Sequence, residues 1–109
     1  MAQARKHHRY RLELATLFSW KKGRDAWQHN VGLTRDVSAH GVFIFAATPP
    51  PSGADLKVQA FLPPGSAALS IVMPAPGQVV RVAPPKGGRP AGFAVSGHRF
   101  VLRRREEHS

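Results

Sequence analysis

The sequence predicts a mainly β fold, a small antiparallel barrel or sandwich of six or seven short strands, on three observations. Apolar residues alternate with polar ones in several short segments, which is the period of a half-buried strand. Turn-forming residues separate these segments. Ten glycines and ten prolines in 109 residues favour many turns over long helices. The length fits one domain, and a hydrophobic share of 42% is enough for a core.

The first two strands are predicted to form a hairpin. Alternating apolar residues occupy 12–20, a polar turn follows at 21–25, and alternation resumes at 27–35. Residues 36–41 have the composition of a turn. They lead into the apolar run at 42–47, which is typical of a buried strand.

The second half of the chain continues the pattern, with proline- and glycine-rich loops between its segments. Its strands are predicted at 56–62, 68–73, 79–82 and 91–96. The last segment, 100–107, is predicted as one or two helical turns. The chain thus divides into a flexible basic arm at 1–11, a β domain at 12–99 and a short C-terminal helix or tail at 100–109.

The formal net charge of +10 is unevenly distributed. Residues 1–11 contain four bases and no acid, and residues 99–105 contain another four bases. Such runs are commonly solvated tails, because like charges repel one another. Arginine also presents a planar fork that suits phosphate oxygens, so either cluster is a candidate anion-binding segment.

Several functional classes find no support in the sequence. There is no cysteine, so a disulfide framework and a thiolate metal site are excluded. The six histidines are scattered without the spacing of a zinc site, and no nucleophile elbow, paired-carboxylate motif or P-loop occurs. No apolar run has the ~20 residues of a membrane helix, and the basic N-terminus lacks a signal cleavage site. We expect a cytoplasmic, non-enzymatic protein without cofactor, metal or membrane insertion.

Two short motifs occur in order along the chain. Arg5 and Arg9 form Arg-x-x-x-Arg, which is weakly specific because Arg99 and Arg103 have the same spacing. Asp36, Ser38 and Gly41 form the stricter Asp-x-Ser-x-x-Gly, directly before an apolar strand.

This combination resembles the PilZ domain family, the bacterial receptor module for cyclic di-GMP. The resemblance covers nearly the whole chain, since 77–81 and 92–95 look like later strands of the family. It implies a β-barrel with a mobile N-terminal arm. The sequence departs from the family pattern at Ala94, where a glycine is usual, and at Gly97, where an aromatic residue is common.

The resemblance also implies the site residues, and the chemistry of the ligand agrees. Arg5 and Arg9 would supply charge to phosphates, hydrogen bonds to guanine and stacking. Asp36 would accept from the N–H edge of a guanine and Ser38 would add a hydroxyl contact. Gly41 would permit a positive φ or a close backbone approach.

Lys6, Arg11 and Arg81 are accessory candidates, of which Lys6 and Arg11 add positive charge within and beside the Arg-x-x-x-Arg motif and Arg81 lies on a predicted strand. Four of the candidate residues also have a purely structural interpretation. Asp36 and Ser38 are also suited to an Asx-type turn, and Gly41 to a turn glycine. Arg81 is equally suited to an outward surface charge on a strand.

The resemblance therefore predicts a non-catalytic cyclic di-GMP receptor, in which ordering of the arm is relayed to a downstream protein, in motility or biofilm control. Two alternatives remain. One is a PilZ-like interaction adaptor without a ligand. The other is a small basic β-barrel that binds nucleic acid, with the terminal arginine clusters along the phosphates.

Overall fold

A computed structural model describes residues 11–38, 40–62, 69–73, 76–97 and 101–104, and within these ranges the regular structure is all β. The strands are β1 (Ala15–Lys21), β2 (Gln28–Ser38), β3 (Gly41–Phe45), β4 (Asp55–Phe61), β5 (Leu69–Val72), β6 (Gly77–Ala83), β7 (Gly92–Ser96) and β8 (Val101–Arg104). The prediction of a mainly β chain is confirmed.

Six strands close into an antiparallel barrel. The strand order is β1-β2-β3-β7-β6-β4, and β4 pairs back onto β1 along six residue pairs. The contact between β4 and β6 is short, and backbone bonds from Gly53 N to Val79 O (2.7 Å) and from Val79 N to Ala54 O (3.0 Å) extend it. Strand closure leaves no unpaired edge in this ring, and the predicted barrel is therefore confirmed.

Strands β5 and β8 extend outward from the barrel. The C-terminal half of β4 pairs with β5, and β8 pairs with the other side of β5 in register Val72↔Val101. The sequence predicted a short helix here, and that prediction is wrong for Val101–Arg104, which form a strand. Positions 100 and 105–109 lie outside the described residues.

The barrel interior is filled by apolar side chains from opposite walls. Phe18 on β1 and Phe93 on β7 are 1% and 0% exposed, and their rings meet edge to face with centroids 5.0 Å apart. Ile44, Leu56 and Val79 are equally buried. Burial of these large side chains is the main stabilising contribution to the fold, because each removes apolar surface from water.

Candidate functional site

A row of directly paired residues crosses four strands on the outer face of the barrel. Asp36 on β2 pairs with Phe43 on β3, Phe43 pairs with Ala94 on β7, and Ala94 pairs with Arg81 on β6. Paired residues project from the same face of a sheet. The neighbouring row, which includes the core residue Val95, faces inward. The predicted residues Asp36 and Arg81 therefore lie on one surface although 45 positions separate them in the sequence.

A β-bulge lies at each end of this row. The register shifts between Thr34 and Asp36 on β2, and again between Val79 and Arg81 on β6. A bulge adds one residue to a strand and redirects the neighbouring side chains. Arg35 is the additional residue on β2, so its side chain joins that of Asp36 instead of alternating with it.

Phe43 forms the centre of the site. It points outward but is only 5% exposed, because other groups cover it. The Arg35 guanidinium carbon lies 4.0 Å from the ring centroid and that of Arg81 lies 5.8 Å from it. Beneath the ring is Gly92, where a Cβ atom would stand 2.5 Å from a ring carbon. The absence of a side chain at Gly92 lets the ring lie close to the sheet, and two cations converge on it.

The carboxylate of Asp36 is engaged by its neighbour. Arg35 Nε donates to Asp36 Oδ2 at 2.7 Å, with the two side chains 32% and 15% exposed. This short contact is charge-assisted, which makes it stronger than a hydrogen bond between neutral groups. Asp36 is thus an ion-paired strand residue and not part of the turn that the composition predicted, since β2 continues to Ser38.

Ser38 and Gly41 face each other where β2 turns into β3. They are a register pair, and Ser38 Oγ donates to Gly41 O at 3.3 Å. A Cβ atom at Gly41 would stand 3.0 Å from Val95 O and 3.7 Å from Ser38 Oγ. The left-handed glycines of the described chain are Gly23, Gly53, Gly87 and Gly88. Gly41 is not among them, and it approaches the Val95 backbone closely.

An open cavity of about 250 Å³ brings these residues together. Asp36, Ser38, Gly41 and Arg81, four of the residues predicted from the sequence, all line it. Arg35 and Phe43 line it as well. The cavity combines a carboxylate, a hydroxyl, two guanidinium groups and an aromatic ring, which is a donor and acceptor set suited to a phosphorylated base.

A second cavity, of about 490 Å³, lies across β1, β2 and β4. Its wall is largely apolar, including Leu17, Val31 and Val72. Lys57 and His29 are its ionisable residues, and His29 Nδ1 is hydrogen-bonded to Ser19 Oγ at 2.8 Å. None of the residues predicted from the sequence lines it, and it offers no carboxylate to a guanine edge.

The chain segment before β1 is held beside the site. Leu14 N donates to Thr34 Oγ1 at 2.8 Å, Thr34 N donates to Leu14 O at 3.0 Å, and the Thr34 hydroxyl donates to Leu12 O. Arg11 is exposed next to this anchor. Leu12 and Leu14 are thus held at Thr34, which lies two positions before Asp36 on β2. Arg5, Lys6 and Arg9 lie outside the described residues.

The sequence analysis missed two residues of the site, Arg35 and Phe43. Arg35 was the end of a predicted strand, and Phe43 was one apolar residue in a buried run. The sequence contained one signal for Arg35, which is a basic residue directly before the aspartate of the Asp-x-Ser-x-x-Gly motif. The alternation rule placed Arg35 on the opposite face from Asp36, and the bulge removes that alternation.

Comparison with known proteins gives one match. The family model for the PilZ domain matches residues 3–108, nearly the whole chain. No curated protein and no solved structure matches the sequence significantly. Among the residues that the structure describes, no helix is long and apolar enough to cross a membrane.

Proposed function

The chain belongs to the PilZ domain family, a family of cyclic di-GMP-binding domains, and we propose that it is a non-catalytic cyclic di-GMP receptor. The ligand lies between the N-terminal arm and the cavity that Asp36, Ser38, Gly41 and Arg81 line. The observation that carries this proposal is the cross-strand row, which joins Asp36 and Arg81 around one aromatic ring.

Asp36 supports guanine recognition by its position and its charge. A guanine presents N1–H and N2–H₂ as adjacent donors, and a carboxylate accepts from both. Asp36 is largely buried at the cavity wall, where a hydrogen bond to a charged group is worth more than in water. Ser38 lies on the same face two residues on, so its hydroxyl is placed for a further contact.

Arg81 supports binding of the other parts of the ligand. Its guanidinium is exposed and lies over Phe43, at the opposite end of the row from Asp36. A guanidinium meets a phosphate, or the O6 and N7 acceptors of guanine, with two parallel hydrogen bonds. The cavity thus has a hydrogen-bond acceptor at one end, the Asp36 carboxylate, and a hydrogen-bond donor at the other, the Arg81 guanidinium.

The anchor at Thr34 supports the participation of the arm. Arg9 precedes Leu12 by three residues, which an extended chain spans over about 10 Å. Asp36 follows Thr34 by two strand residues, or about 7 Å. Arg9 is therefore within reach of the cavity, and Arg5 has more chain available. Ordering of the arm over the cavity changes the protein surface that a downstream partner contacts.

A non-catalytic role agrees with the bonding of the groups that line the cavity. The Ser38 hydroxyl donates to a backbone carbonyl, Gly41 O, and so is not activated by a base. The carboxylate of Asp36 is held by Arg35. We place this receptor in the cytoplasm, where its ligand is a second messenger.

Calorimetric titration with cyclic di-GMP tests the proposal. The wild-type protein is expected to bind it and to discriminate against cyclic di-AMP, because adenine lacks the N1–H and N2–H₂ donors. Asp36→Asn is expected to lose most of the affinity. Asp25→Asn, which removes a carboxylate from the exposed turn after β1, is the matched control and retains it.

Two results would contradict the proposal. One is no detectable binding of cyclic di-GMP to the folded wild-type protein, which favours the interaction adaptor. The other is equal affinity for cyclic di-GMP and a single-stranded oligonucleotide, with a steep salt dependence for the latter, which favours nucleic-acid binding.

A further inference from the structure

Arg35 is a charged residue of the site that lies outside both sequence motifs. It is the additional residue of the β2 bulge, and its side chain makes two contacts. Its Nε donates to Asp36 Oδ2 at 2.7 Å, and its guanidinium carbon lies 4.0 Å from the centroid of Phe43. With the side chain 32% exposed, part of the guanidinium faces the cavity. Arg35 is therefore both paired internally and accessible to a ligand.

The charges that line the cavity do not balance. Two guanidinium groups, of Arg35 and Arg81, approach the same ring within 6 Å. Among the described residues around this cavity, Asp36 is the one acid. Asp36 balances one of the two positive charges, through its ion pair with Arg35. The cavity thus carries one positive charge more than negative charge from these groups, which favours an anionic group there.

Arg35 and a guanine would compete for the carboxylate of Asp36. The N1–H/N2–H₂ edge of guanine and the edge of a guanidinium present the same pattern of adjacent N–H donors. Both donate to the oxygens of one carboxylate, which offers about four lone-pair sites. A guanine that binds both oxygens of Asp36 therefore competes with Arg35 Nε for Oδ2 and weakens that contact. A guanidinium with this contact weakened still has the Phe43 ring beside it, and its charge then favours a new anion.

We propose that Arg35 is a ligand-binding residue that exchanges the carboxylate of Asp36 for a phosphate of cyclic di-GMP. This inference rests on the proposed function. The guanine binds the carboxylate of Asp36, and a phosphate of the same molecule binds the guanidinium of Arg35. Neither charged side chain is then left without a partner in the partly buried site. Arg81, on the other side of Phe43, is the second cation toward that phosphate. The bulge is essential, because only an additional residue at this point places Arg35 and Asp36 on one face.

The test compares three variants by calorimetric titration with cyclic di-GMP. Arg35→Gln removes the charge and is expected to weaken binding about tenfold or more, which is the usual effect of losing a hydrogen bond to a charged group. Arg35→Lys retains the charge without the fork and is expected to recover part of the loss. Arg24→Gln, in the exposed turn after β1, is the matched control and binds like the wild type.

A salt series separates phosphate contact from mere support of Phe43. Added salt screens an ionic contact. The affinity of Arg35→Gln is therefore expected to depend less on salt than that of the wild type. A second measurement uses the unmodified protein. On saturation with cyclic di-GMP, the Arg35 Nε–Hε resonance is expected to shift and to show coupling to ³¹P across the hydrogen bond.

The outcomes distinguish this inference from the function on which it rests. A wild-type protein that does not bind cyclic di-GMP overturns the proposed function. If the wild type binds, unchanged affinity in folded Arg35→Gln overturns the role of Arg35 alone. Tighter binding also overturns it, since Arg35 would then only compete for Asp36. If Arg35→Gln does not fold, an Arg35 resonance that stays unchanged at saturation gives the same negative result.

Discussion

The ring of Phe43 lies against Gly92 on the adjacent strand, where a Cβ atom would stand 2.5 Å from one ring carbon. This contact lets an outward-facing phenylalanine remain 5% exposed, with Arg35 above it. The position of the ring determines where the two guanidinium groups lie, so Gly92 acts on the site without contacting a ligand.

Gly92→Ala is expected to lower the free energy of unfolding by about 1–3 kcal/mol, because the methyl group forces the Phe43 ring from its place. Denaturant unfolding measures this change. In a Phe43→Ala background the same substitution is expected to cost less, since the ring is gone, although the contact of the new Cβ with Ile44 O at 2.8 Å remains. An equal cost in both backgrounds would show that the clash is not with Phe43.

Thr34→Val is expected to destabilise the protein by about 1–3 kcal/mol, since it leaves the buried Leu14 N–H without its acceptor. Thr34 is 0% exposed, and its hydroxyl links Leu12 and Leu14 to β2. Hydrogen exchange of the Leu14 amide, together with chemical unfolding, measures the effect. Thr48→Val is the exposed control. Unchanged protection of Leu14 would contradict the anchoring role of Thr34.

Gly41→Ala is expected to cost about 1 kcal/mol of stability, because the new Cβ lies 3.0 Å from Val95 O and the backbone must yield slightly. The shift also opens the bond from Ser38 Oγ to Gly41 O, so cyclic di-GMP affinity is expected to fall. Amide chemical shifts of residues 38, 41 and 95 report the local change, and calorimetry reports the affinity. Ala47→Gly, just after β3, serves as the exposed comparison. Wild-type affinity in Gly41→Ala would show that cyclic di-GMP binding does not require the close approach of Gly41 to Val95 O.

Lys57→Gln is expected to lower stability by about 0.5–1 kcal/mol by removing a cation–π contact at an exposed position. Lys57 Nζ lies 4.4 Å from the centroid of Trp27, and Lys21 Nζ lies 5.2 Å from it on the same hairpin. Tryptophan emission is expected to change with the loss of the charge. Lys86→Gln, in the β6–β7 turn, is expected to change neither quantity, and an equal effect of both substitutions would contradict the contact.

Local chemistry made the strands and part of the site predictable. The period-2 pattern located β1 because alternate residues such as Phe18 are inward and buried. The same period places Asp36 and Ser38, two residues apart, on one face of β2. The spacing within the Asp-x-Ser-x-x-Gly motif thus contains enough geometry to indicate the site.

On β2 the sequence pattern did not predict correctly which side chains face the core and which face the solvent. Val31 and Leu33 alternate as core residues do, yet they are 64% and 40% exposed. Gly32 faces inward instead, where a Cβ would stand 2.7 Å from Ile44 Cγ2 and 2.7 Å from Phe45 O. The close approach of β3 decides which face is inside, and a local pattern contains no information about it.

The sequence by itself determined the β class, the approximate positions of most strands along the chain and the motif around Asp36, because alternation, turn residues and short spacings are local properties. Only the tertiary structure decided that Val101–Arg104 form a strand, since that depends on pairing with β5. It also decided that Arg35 and Arg81 both lie within 6 Å of the Phe43 ring, next to bulges in two different strand pairs. The two bulges lie in the consecutive pairs β2–β3 and β6–β7, and the pairing of β3 with β7, which are distant in sequence, brings them onto one surface. That pairing belongs to the closing of the barrel, which a local pattern does not contain.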